Sequence, residues 1–305
     1  MNTIRYIDRQ SRQEKTEKIY GYFFLKILYS TSLMSRLICP FLLPIFAHLK
    51  SVSKWYGWIQ KSSISRLKIK PFIKVFKIDT SEFLDPLDSF QSFNDFFIRK
   101  LRPASRPLAQ GHDIAILPAD GRYFAYENIS KIPGFWIKGQ KFSLEELLQD
   151  KQLAAQYAQG SIVIGRLAPV DYHRFHFPTN CLPNTSQEIP GPLYSVNPIA
   201  LKTNIHILAR NKRVITSLHT KNFGKILYIE VGATNVGSIH QTFMAQEPYA
   251  KGDEKGYFSF GGSCVILLFE PYKIQFDQDL LDASCRTLET RGLFGQSLGR
   301  ALFPL

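Results

Sequence analysis

Four residues of this 305-residue chain carry side chains suited to activating a hydroxyl group. Asp120 lies in Pro118-Ala119-Asp120-Gly121-Arg122, His173 and His176 lie in RLAPVDYHRFHFP (166–178), and Ser263 follows Gly261-Gly262 in YFSFGGSCVILLFE (257–270). A histidine titrates near neutral pH and can both take and return a proton. A carboxylate can orient the imidazole, and a serine hydroxyl beside such a base becomes a nucleophile. Each piece alone has a plainer reading: Asp-Gly and Gly-Gly-Ser are ordinary turn chemistry, and His-x-x-His is commonly a structural pair. On a straight strand, residues i and i+3 point to opposite faces, so the two histidines share a site only where the backbone turns or bulges. Pro169 and Pro178 make such irregular backbone reasonable.

The elements that must hold these residues are mostly strands. Segments 113–117, 122–126, 161–167, 213–218, 225–231, 236–243 and 264–269 are rich in Ile, Val, Phe and Tyr and are bounded by Gly, Pro or Asn. Two short helices have start signals, Ser92-x-x-Asp95 before FFIRKL and Ser143-x-x-Glu146 within SLEELL. The expected class is α+β: a helical, membrane-associating N-terminal region over residues 1–75, with helices from about residue 14, then a β-rich core over 76–305 built as a barrel or sandwich.

Composition narrows the function. Apolar residues at 45% and charged residues at 21% describe a globular chain. The four cysteines, Cys39, Cys181, Cys264 and Cys285, have no paired spacing, which argues against a zinc ribbon or disulfide framework and for a reducing compartment. Walker, G-x-G-x-x-G, H-E-x-x-H and G-x-S-x-G motifs are absent. Of the 38 Lys and Arg, fourteen fall in residues 1–75 against three acids, Asp8, Glu14 and Glu17, so most of the net charge of +13 sits there. Those cations alternate with apolar runs, YGYFFLKILY (20–29) and LICPFLLPIFAHL (37–49), followed by KWYGW (54–58). Neither run is long enough to span a bilayer, and no signal-peptide cleavage pattern follows. Cations, short apolar stretches and Trp/Tyr together fit helices lying on an anionic membrane surface rather than a nucleic-acid face.

Taken together, the ordered motifs FNDFFIRKLRP (93–103), PADGR (118–122), KGQKFSLEELL (138–148), RLAPVDYHRFHFP (166–178), GGSCV (261–265) and GQSLG (295–299) resemble the phosphatidylserine decarboxylases. That resemblance implies a proenzyme that cuts itself between Gly262 and Ser263. A 262-residue β chain and an α chain made of the remaining 43 of the 305 residues would result. Ser263 would become a pyruvoyl group, the covalent cofactor that decarboxylates phosphatidylserine to phosphatidylethanolamine through a Schiff base. No metal is called for. Asp120 and His176 match the family's acid and base for processing, with Ser263 as nucleophile, and His173 matches the histidine of decarboxylation. The resemblance further implies α and β subunits from one precursor, a homo-oligomer of such pairs, and peripheral attachment at the cytoplasmic side of the cell membrane. Two positions depart from the family pattern: Cys264 where Thr or Ser is usual, and Gln296 where an acid is common. The alternatives are a metal-dependent hydrolase with Asp120, His173 and His176 as ligands, and a lipid-binding module without catalysis.

Overall fold

A computed structural model describes residues 4–17, 57–132, 143–202, 204–233, 239–259 and 263–302. Its core is one large, mostly antiparallel sheet with most helices on one face, the helix Gln278–Cys285 on the other, and two small sheets nearby. The strands are β1 (Arg5–Asp8), β2 (Gln13–Thr16), β3 (Ile114–Ile116), β4 (Gly121–Tyr126), β5 (Ser161–Leu167), β6 (Arg174–His176), β7 (Leu182–Pro183), β8 (Gln187–Ile189), β9 (Arg213–His219), β10 (Lys225–Gly232), β11 (Ile239–Gln241), β12 (Glu254–Phe258), β13 (Ser263–Phe269), β14 (Ile274–Phe276), β15 (Glu289–Gly292) and β16 (Ser297–Ala301). The large sheet runs β2-β1-β15-β4-β5-β13-β10-β9-β7, with β8 also on β9. Two three-stranded sheets, β11-β12-β6 and β14-β16-β3, complete the set.

The large sheet is open, with β2 at one edge and β7 and β8 at the other, so the expected barrel does not close. The N-terminal residues also differ from expectation. Residues 5–16 form a hairpin whose β1 pairs parallel with β15, so this stretch extends the core sheet instead of starting a helix. Of the expected helical region, the described residues include the helix α1 (Ile69–Phe76), preceded by a 3-10 turn over Ser63–Lys68. Residues 18–56, and with them both apolar runs, lie outside the described residues.

β13 explains why an unbroken apolar run makes a strand here. All seven of its residues are buried, because both faces of the sheet are covered. Val265, Leu267 and Phe269 face a core shared with Phe175, Phe177 and Phe258 of the β6–β12 region. Cys264, Ile266 and Leu268 face a second core under helices α2 (Leu144–Leu148) and α3 (Lys151–Tyr157). The Ser143 cap is present, its hydroxyl accepting from Glu146 N at 3.1 Å. A third, phenylalanine-rich core gathers Phe72, Phe83, Phe90, Phe93, Phe96 and Phe97 around a short helix at Phe93–Phe97, whose N-cap Ser92 accepts from Asp95 N at 3.1 Å. Such a cap contributes about 1 kcal/mol.

Candidate active site

Strand register brings Asp120, Ser263 and the start of the loop leading to His173 to one end of the large sheet. Gly121 starts β4 opposite Gly292, and Arg122 lies opposite Arg166. Leu167 ends β5 opposite Ser263, which starts β13 opposite Gly232, where β10 ends. Asp120, the loop from Ala168 to His173, Phe294 and Ser263 therefore all lie at or just beyond the same strand ends.

The turn carrying Asp120 is clamped from within. Gly165 leaves room for the Tyr123 ring, which a Cβ there would approach within 2.4 Å. The Tyr123 hydroxyl then donates to Ala119 O at 2.5 Å. Asp120 is buried and accepts from Arg106 Nε at 3.0 Å, Arg106 Nη2 at 2.7 Å and Phe294 N at 2.8 Å. Arg106 also donates to Glu82 at 3.0 and 2.9 Å. Burial opposes its charge, but Asp120 and Glu82 outweigh burial and hold the guanidinium above its ordinary range.

His176 ends β6 and stacks on Phe294, with ring centroids 3.7 Å apart and planes 14° apart. Its Nδ1 donates to Gly252 O at 2.9 Å, which leaves the Nε2 lone pair inward; that atom has no hydrogen-bond partner among the described residues. Gly252 has φ +92°, a conformation glycine adopts without strain. Burial, helped by the Arg174 charge and opposed by the Gly252 bond, pushes the imidazole down to about 4, so it is neutral at physiological pH. The carbonyl of Gly252, not a carboxylate, fixes its tautomer. Asp120 and His176 meet through Phe294, one on its backbone N–H and the other on its ring.

His173 is fully buried in the loop before β6. Its Nδ1 donates to Asp171 O at 3.0 Å, and its ring lies 3.8 Å from that of Phe97. The FNDFF motif thus reaches the site through Phe97. Ser263 is also fully buried, and its Oγ has no hydrogen-bond partner among the described residues. An unbonded buried hydroxyl costs about 1–3 kcal/mol, the kind of strain found where a group is kept for chemistry. Gly261 and Gly262 lie outside the described residues.

Several residues of the site carry no signal that singles them out in the sequence. Asp171 sits inside the histidine motif, yet its partner Arg122 is 49 residues away. Arg106 and Phe294 become site residues only through the fold. Gln296 acquires a clear role: its Oε1 accepts from Leu293 N at 3.0 Å and its backbone O from Leu117 N at 2.8 Å, shaping the loop that presents Phe294. Cys264 points away from Ser263 into the helix-covered core, where burial raises its thiol well above the usual range. It packs as a small apolar residue. Among the described residues no three His, Cys, Asp or Glu side chains gather as a metal site, so the metal-dependent alternative lacks its ligand set.

Comparison with known proteins bears directly on this geometry. The family model for phosphatidylserine decarboxylase matches residues 93–299. The chain belongs to the phosphatidylserine decarboxylase family. A phosphatidylserine decarboxylase proenzyme of Chlamydia caviae is 50% identical over 99% of each chain. The proenzyme of Chlamydia pneumoniae is 49% identical over 99% of this chain and 98% of its own, and that of Chlamydia felis 48% identical over 99% of each. Asp120, His173, His176 and Ser263 all fall within the span matched to the decarboxylase family.

Proposed function

We propose that this phosphatidylserine decarboxylase makes its own cofactor from Ser263 and then decarboxylates phosphatidylserine at a membrane surface. The observation that carries the reading is the Ser263 hydroxyl, buried at the start of the central strand without a hydrogen-bond partner among the described residues, on the sheet end where Asp120 and the histidine loop also lie. Its attack on the Gly262 carbonyl forms an ester and breaks the Gly262–Ser263 C–N bond, freeing the serine amine. Loss of the Ser263 Cα proton then expels the Gly262 carboxylate, and water releases ammonia to leave the pyruvoyl end. The neutral Nε2 of His176 suits the base of these steps, with Asp120 holding Phe294 beneath it. His173 would protonate the product carbon after carbon dioxide leaves.

A pyruvoyl group fits the start of β13, because a new chain end there needs no hydrogen-bond partner for a lost Oγ. When present, it supplies an electron-withdrawing carbonyl for the substrate amine. After the cut, the 43-residue α chain would stay attached, since β13 lies between β5 and β10. The exposed Trp58, Ile64, Leu67 and Val75, interspersed with exposed Lys61, Arg66, Lys70 and Lys74, suit peripheral docking on anionic lipid at the cytoplasmic side of the cell membrane. Among the described residues no helix is long and apolar enough to cross a membrane. Further assembly into a homo-oligomer of α/β pairs belongs to the same proposal.

Substitution tests the assignment. Ser263→Ala should remain full length and inactive, whereas His173→Ala should be cut but slow. Failure of His173→Ala to cut would move that histidine into processing. Vesicle flotation should rise with anionic lipid and fall with salt; no binding at low salt would remove the membrane reading.

A further inference from the structure

The N-terminal hairpin ends in a buried carboxylate that meets two arginines of the core sheet. Glu17, just after β2, is buried with its side chain against two arginines. Arg166 donates to it at 2.6 and 3.2 Å, and Arg122 Nε approaches at 3.6 Å. Burial pushes the Glu17 carboxyl up, but the two guanidinium groups outweigh burial and hold it below its usual range. Arg166 also donates to Glu289 at 3.0 and 2.8 Å, and the Tyr6 ring of β1 lies 5.3 Å from the Arg122 guanidinium.

Arg122 has a second carboxylate, Asp171, joined through Nη1. Asp171 closes the loop before His173: its Oδ2 accepts from Ala168 N at 2.7 Å and its N donates to Ala168 O at 2.9 Å. Its own carbonyl accepts from His173 Nδ1. A buried path therefore runs Glu17, Arg122, Asp171, His173, its first link an ion pair at 3.6 Å and the others hydrogen bonds. The far end of the hairpin is pinned separately, with Arg9 on Asp277 at 2.7 Å and Asp279 at 2.8 Å.

We propose that Glu17 is a positioning residue for His173, acting from the hairpin through Arg122 and Asp171 to fix the loop that orients the imidazole. The charges explain why a carboxylate is needed there. Arg122 reaches toward Asp171 and Glu17, and Arg166 toward Glu17 and Glu289. Removing Glu17 takes away the carboxylate on the Nε side of Arg122, leaving Asp171 and the Tyr6 ring beside it, so the guanidinium shifts and carries the loop with it. Misplacing a catalytic group by a fraction of an ångström to an ångström lowers turnover by roughly tenfold to a hundredfold.

This inference rests on His173 acting in decarboxylation, so His173→Ala is measured alongside. With full-length protein and phosphatidylserine in mixed micelles, Glu17→Gln should be fully cut and melt near wild type. Its kcat should fall roughly tenfold with KM within about twofold, and Glu17→Asp should recover most of the loss. Glu14→Gln, on the same hairpin but paired with exposed Arg5, should match wild type. An unchanged kcat in Glu17→Gln, a loss shared by KM, or no recovery in Glu17→Asp overturns the proposal. Should Glu17→Gln fail to fold, Arg122→Lys takes its place: lower kcat at constant KM supports the path, and wild-type kcat overturns it. Wild-type turnover in His173→Ala would instead refute the role of His173, a result distinct from a silent Glu17.

Discussion

Neutral, buried His176 should make the precursor lose stability on mild acidification in a way that one substitution removes. In the unfolded chain a histidine titrates near 6.5, and in the fold burial lowers His176 to about 4. A depressed group contributes stability that is fully present above the unfolded value and is lost as pH falls toward the folded one. Between pH 7.5 and 5.0, linkage from these two values gives a loss of about 2 kcal/mol, because the unfolded chain takes up the proton and the fold does not. The assay is urea denaturation of the uncut Ser263→Ala precursor at both pH values, with and without His176→Gln. The Gln variant is less stable overall through loss of the Phe294 stack, but only the change with pH is compared. The histidine-containing precursor should lose about 2 kcal/mol more than the variant over this window. Carboxylates lowered in the fold, such as Asp8 and Glu17, act at lower pH and are common to both chains. Equal losses in the two proteins would refute the neutral, desolvated state of His176 and with it the reasoning that makes it a base.

Other consequences follow from buried charge and from thiol placement. Arg106→Ala should destabilise the precursor by about 3–5 kcal/mol in denaturant titrations, since it strands Asp120 without its bidentate partner. A second fully buried pair, Lys255 Nζ on Glu230 Oε1 at 2.6 Å, also holds Thr216 and Gln241; burial pushes Lys255 down and Glu230 up. Lys255→Met alone should cost about 3–5 kcal/mol, while Lys255→Met with Glu230→Leu should recover most of it in the same titration. Brief iodoacetamide treatment of the folded protein, read by peptide mass, should label exposed Cys285 and spare buried Cys181 and Cys264.

How much of this was readable beforehand depended on whether the determining forces were local. Ser161–Leu167 was expected and found as a strand with the same ends, and 264–269 gained only Ser263, because stretches this rich in Ile, Val and Leu leave little choice. Ser92 and Ser143 announced their helices through capping, an interaction three residues long. Residues 13–16, QEKT, carry no strand pattern at all; they pair because Tyr6, Ile7 and Asp8 add to β15, a partner more than 280 residues away. The site divides in the same way. His173, His176, Asp120 and Ser263 were legible as candidates by type and motif; strand register places Asp120 and Ser263 at one sheet end, and His176 joins through its stack on Phe294. The supports were not legible, because Arg106, Arg122, Gly252 and Phe294 acquire their roles only when distant strands align.

The central claim is that the chain cuts itself before Ser263 and keeps the remnant of that serine as its reactive carbonyl. Intact-mass spectrometry of freshly made protein, with and without borohydride, tests it directly. The account predicts two chains of 262 and 43 residues, the smaller beginning with a ketone that borohydride reduces with a gain of about two mass units. A single uncut chain that still converts phosphatidylserine to phosphatidylethanolamine would contradict it.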